Sequence, residues 1–172
     1  KSLRELLQEV GEQVFRERDD VRLDLGRLVI EGLKRTGKQV ALVDGLTGES
    51  WSGEMLLSMG MALAEEIDQW CLRDRVGIVL PTGLGATVAN LAVVFAGKVP
   101  VNLNFTAGRK SVEAALRIGE IGHVITAESF KGRLPEFPWP AECLNLEKLL
   151  PNLRSKIPVS YTHLRAHETR ED

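Results

Sequence analysis

Cysteine is scarce: the 172-residue chain has two, Cys71 and Cys143, far apart and with no CxxC pair or Cys/His ligand spacing. That argues against a disulfide framework or a zinc site and makes a reducing cytosol the expected setting. Charge of one sign is lacking too, since 22 Lys+Arg stand against 24 Asp+Glu for a formal net charge of -2. Such a balance leaves no electrostatic footprint for nucleic acid, so small molecules and proteins are the expected partners. No apolar run approaches the roughly 20 residues that a membrane-spanning helix needs. An initiating methionine is also absent. The chain opens at Lys1 directly in a helical pattern, and preceding sequence of the same protein is therefore expected.

What is present suffices for one folded domain, because 44% hydrophobic content can bury a real core at this length. Leu3, Leu6, Leu7, Val10 and Val14 recur at helical spacing with charged and amide residues between them. Leu25, Leu28, Val29 and Leu33 predict a second helix that ends at Gly37. Residues 1–37 thus read as a helical linker or the tail of a preceding domain. Val40 to Asp44 and Glu49 to Trp51 flank a turn containing Gly45 and Gly48, a hairpin pattern, and Ser52 can cap the helix that follows. That helix carries Met55, Met59, Leu63 and Ile67 on one face, with Glu65, Glu66 and Asp68 on a solvated one. Val76 to Leu80 is a continuous apolar strand ended by Pro81, and a strand apolar on both faces belongs in a covered parallel sheet. A helix over 84–97, a strand from Val99 to Leu103, a helix capped near Thr106, a strand from His123 to Thr126 and another starting near Leu144 complete a βαβαβ alternation. The fold class is therefore α/β.

Several stretches imitate functional motifs. Gly32 to Gln39, GLKRTGKQ, nearly matches a phosphate-binding loop, but Gln39 stands where a Ser/Thr would reach magnesium and the order is helix then strand. Gly83-Leu84-Gly85 after a strand resembles a dinucleotide fingerprint, yet Val88 holds the third glycine position, and the next strand ends in Asn102 and Asn104 without the acidic ribose ligand. A tight strand-to-helix turn is the better reading. His123 stands alone, with no serine or cysteine nucleophile and carboxylate arranged around it, and reads as structural. Glu65 with Glu66 and Asp19 with Asp20 are solvated charges, because adjacent helical residues diverge. In Leu134 to Pro140, LPEFPWP, the apolar Phe137 and Trp139 are expected to pin a loop onto the domain. Val159 to Thr169 reads VSYTHLRAHET, which resembles the translation of a sequencing-library adapter more than a protein. Residues 159–172 are therefore expected to be foreign to the native sequence, which sets aside Tyr161 and the i, i+4 pair His163 and His167 as metal ligands.

VALVDGLTGESWSGEML, followed by DRVGIVLPTGLGATVANLAVVFAGKVPVNLNFTAG, resembles the opening of the adenylate-forming, AMP-binding superfamily over roughly residues 38–150. PTGLGATVANLA and NLNFTAG are most similar to the acyl-acyl-carrier-protein synthetase domain that is joined to 2-acylglycerophosphoethanolamine acyltransferase, and residues 1–36 resemble the connector in such fusions. The resemblance implies that 38–158 is a truncated amino-terminal part of the synthetase domain, a largely parallel sheet flanked by helices. It implies an intact ligase that uses ATP and magnesium to form an acyl-adenylate from a fatty acid, then passes the acyl group to a carrier-protein or CoA thiol. A fused acyltransferase would use it to reacylate a lysophospholipid, at the cytoplasmic face of the inner membrane. The phosphate loop, acidic ATP ligands and lysine of that superfamily would lie beyond Leu150. No catalytic, cofactor or metal residue is therefore carried over to this chain, which is expected to be inactive by itself and to expose apolar sheet surface. Two other readings stay open: a small nucleotide-binding α/β module and a noncatalytic interaction domain.

Overall fold

The computed structural model describes residues 2–18, 24–45 and 47–153. Asp19, Asp20 and the whole of 159–172, with Tyr161, His163 and His167, lie outside the described residues. The centre of the molecule is β3 (Arg75–Ile78), which pairs in parallel with β4 (Val99–Asn102) on one side and β5 (His123–Thr126) on the other. The strand β6 (Glu142–Asn145) extends the sheet beyond β5, giving the parallel order β4-β3-β5-β6. A smaller antiparallel hairpin, β1 (Val40–Val43) and β2 (Ser50–Ser52), stands apart from this sheet. The continuous apolar run predicted a doubly covered strand, and both faces are covered. Val76 and Ile78 pack into one core, and Val79 packs into a second one on the opposite face. Gly77 permits that closeness, because a Cβ there would lie 2.8 Å from side-chain atoms of Ile121 and Val124.

The first core is built by α3 (Gly53–Trp70) and α4 (Leu84–Phe95). Ser52 caps α3 as expected, its hydroxyl accepting from the Met55 amide at 3.2 Å. Met59, Leu63 and Ile67 are fully buried while Met55, expected on the same face, is exposed, and residues on other faces of the helix, including Leu57, Ser58 and Ala64, are buried too. One packed face was expected. The helix is enclosed because α2 (Leu25–Thr36), α4 and the hairpin all contact it. The second core is closed by Val112 of α5 (Arg109–Ile118) and by Phe137 from the proline-rich loop. That loop is pinned as expected, with the Trp139 indole donating to the Leu134 carbonyl at 3.1 Å and Lys131 lying over its ring.

Three details differ from the sequence expectation. Thr106 does not cap α5: its amide and hydroxyl donate to Asn104 Oδ1 in the preceding turn, and Gly108 is the N-cap without a side-chain bond. The short α6 (Glu128–Lys131) and a helical stretch at 146–153 carry too little periodicity to be read beforehand. Exposed large apolar side chains lie mainly on α1 (Leu3–Glu17) and on β1 at Val40 and Val43, whereas the parallel sheet exposes only Val99 among them. The helices of the 1–37 stretch also behave differently from one another. No residue of α1 is buried, while α2 contacts α3, α4 and β1.

The α2–α3 junction is backbone against backbone, since a Cβ on Gly53 would come within 2.5 Å of the Leu33 carbonyl oxygen. Overpacking of this kind costs about 1–3 kcal/mol. Gly53→Ala should therefore lower the urea midpoint. Gly32→Ala should raise it, because this α2 glycine has no atom within 4 Å of its would-be Cβ and alanine is favoured in helices by about 0.5–1 kcal/mol. Equal effects of the two substitutions would contradict the packing described.

Candidate functional site

From β3 the chain adds β4 on one side and then crosses back to add β5 on the other, so the carboxyl ends of β3 and β5 form a switch-point crevice where α/β proteins commonly bind ligands. Here the crevice has a volume of about 380 Å³. Its walls are the β3–α4 turn from Leu80 to Ala86, the start of α6 at Ser129 and Phe130, Leu146 and Leu150 of the last helix, and the hairpin turn at Asp44 and Thr47. The strands hold it open in register: the Val79 amide donates to the Ile125 carbonyl at 3.0 Å and the Thr126 hydroxyl to the Val79 carbonyl at 2.8 Å.

The amino terminus of α4 faces this crevice and already has an anion. Asp44, forty residues upstream, accepts from the Leu84 amide through Oδ2 at 3.2 Å and from the Thr47 amide through Oδ1 at 3.1 Å. Gly83 makes room for it: φ is 154°, and a Cβ would lie 2.9 Å from Asp44 Oδ2. A helix amino terminus attracts phosphate because its amides lack partners. With the protein's own carboxylate in place, the Gly83-Leu84-Gly85 turn serves as an internally capped helix start. The bond between Leu84 and Asp44 is one that the sequence did not reveal.

At the other wall, Glu147 accepts from the Ser129 amide at 3.1 Å and from the Ser129 hydroxyl. These hydrogen bonds, the hydroxyl first, hold the Glu147 carboxyl below the usual glutamate range. The Asn145 side chain donates to Glu128 at 3.3 Å beside it. No histidine adjoins Ser129 among the crevice-lining residues, so the pair lacks the base that would activate a serine. Cys71 is buried with its thiol toward the Arg73 carbonyl, and burial foremost pushes the Cys143 thiol up. A raised thiol is a poor nucleophile at neutral pH.

The remaining motif look-alikes fall elsewhere. Gly32 to Thr36 belongs to α2 and Gly37 ends it, so GLKRTGKQ is a helix terminus followed by a strand. His123 starts β5, at the end of the sheet opposite the crevice, with its ring edge-to-face on Trp70 at 4.8 Å. Glu65 is exposed on α3. Asn102 ends β4 and Asn104 follows it; Asn102 exchanges two hydrogen bonds with Asn90 of α4 at 2.8 and 3.1 Å. No group of three His, Cys, Asp or Glu residues able to hold a metal ion occurs among the described residues. Sequence reasoning missed Asp44 and Glu147, whose partners are remote in the chain; an acidic residue in a hairpin turn was the only available signal for the first.

No protein-family model matches the chain. Solved structures do resemble it. The nonribosomal peptide synthetase FmoA3 in its α-methyl-L-serine-AMP-bound form is 20% identical with a TM-score of 0.63, over 73% of this chain and 14% of that one. The Klebsiella oxytoca NpsA N-terminal subdomain in complex with anthranilyl-AMSN is 20% identical with a TM-score of 0.62, over 75% of this chain and 32% of that one. The four-domain nonribosomal peptide synthetase holo-AB3403, bound to AMP and glycine, is 18% identical with a TM-score of 0.63, over 76% of this chain and 10% of that one. The chain therefore shares part of the fold of these structures, and it spans about a third of the NpsA subdomain and less of the larger synthetases.

Two measurements probe this site. Removing a helix cap costs about 0.5–2 kcal/mol, so Asp44→Ala should lower stability by that order and Asp44→Asn, which keeps one acceptor, by less; no loss in either variant would dismiss the cap. A depressed carboxyl favours the folded state above the usual glutamate range, and that contribution fades as pH falls through the folded-state pKa. Ser129→Ala should accordingly move the Glu147 carboxyl resonance to a higher titration midpoint. An unchanged midpoint would mean that the serine does not hold the carboxylate.

Proposed function

We propose that residues 38–158 are the opening segment of an adenylate-forming ligase whose reactive loops lie outside the described residues. The supporting observation is the fold: a hairpin and capped helix lead into the β3-α4-β4-α5-β5 unit, and this arrangement aligns with adenylation domains at TM-scores of 0.62 to 0.63. Neighbouring structures contain AMP or AMPPNP, and ATP is accordingly the proposed cosubstrate. In this reading the Leu84 amide at the α4 terminus is already taken by Asp44, and no cluster of three His, Cys, Asp or Glu residues occurs among the described residues. Nucleotide and magnesium binding are assigned to sequence beyond them.

The substrate in this reading is a fatty acid, with a carrier-protein or CoA thiol as acceptor. A carboxylate is a poor electrophile; joined to the α-phosphate of ATP with loss of pyrophosphate, it gains AMP as a leaving group that a thiolate can displace. Binding that developing charge is where such an enzyme lowers the barrier. One neighbour is NpsA-ThdA, an artificially fused adenylation–PCP di-domain, and a carrier-type acceptor is in keeping with it. The acyl branch rests on the likeness of Pro81 to Ala92 and Asn102 to Gly108 to acyl-acyl-carrier-protein synthetases. Residues 1–37 would then connect to a lysophospholipid acyltransferase domain acting at the cytoplasmic membrane face, and 159–172 would be foreign sequence.

The test is carboxylate-dependent ATP–pyrophosphate exchange by the complete gene product read from an uncontaminated assembly. Exchange with long-chain fatty acids, followed by acylation of holo carrier protein, is the expected result. Exchange with amino or aryl acids alone would move the substrate to another branch, and a reading frame that closes after the codon for Pro158 would overturn the ligase. In parallel, calorimetric titration of this chain with ATP should give no binding heat; a saturable heat would favour a small nucleotide-binding module.

A further inference from the structure

We draw no further inference here: the strongest candidate, the apolar stripe of helix α1 with Leu3, Leu7, Val10 and Val14 exposed, carries nothing because no feature of the structure shows what covers it.

Discussion

Double burial of β3 is the constraint on which the rest of the structure depends. A strand covered on both faces can carry no charged side chain at its buried positions, because an unpaired buried charge is too costly. Val76, Ile78 and Val79 meet this condition, and Arg75 falls at the exposed entry to the strand. The neighbours follow from it. The α3–α4 layer must cover one face, α5 with the proline-rich loop must cover the other, and glycines must stand where these layers come closest. At Gly77 a Cβ would lie 2.8 Å from Ile121 and Val124, and within the α3–α4 layer a Cβ at Gly60 would lie 2.7 Å from the Phe95 ring.

The three carboxylates that line the switch-point crevice are engaged in holding the fold. Asp44 ties the hairpin turn to α4, Glu49 accepts from the Trp51 indole at 2.7 Å, and Glu147 ties the last helix to α6. Each carboxylate has donors of its own, and two of the three bonds join segments that are distant in sequence. Such groups position secondary structure around a concave surface without offering a nucleophile or general base there.

Much of the fold was legible because its signals are local. The apolar run at 76–80 specified a covered parallel strand, Ser52 specified a helix start, and the βαβαβ alternation specified the class. Only segments whose periodicity is complete within a few turns can be read in this way. The cap of α4 was not legible, because Asp44 and Leu84 are brought together by the packing of the hairpin on α3. Nor was the start of α5: Thr106 has the chemistry of a cap, but Asn104 captures its hydroxyl first, and local side-chain bonds compete with helix capping. The enclosure of α3 escaped notice because Glu65, Glu66 and Asp68 suggested a solvated side, whereas these charges occupy only its last turns. The crevice itself depended on strand order, which no single segment encodes.

Pro100 has a consequence for how this sheet meets other chains. It lies in β4, at one margin of the described sheet, and the bonds from the Val99 amide to Asp74 and from the Leu103 amide to Ile78 show that odd-numbered amides of β4 face β3. The position of Pro100 is therefore one whose amide would face outward, and proline has none. An incoming strand would find a gap in the hydrogen-bonding ladder at the middle of that margin. The fold thus discourages edge-to-edge self-association on the β4 side.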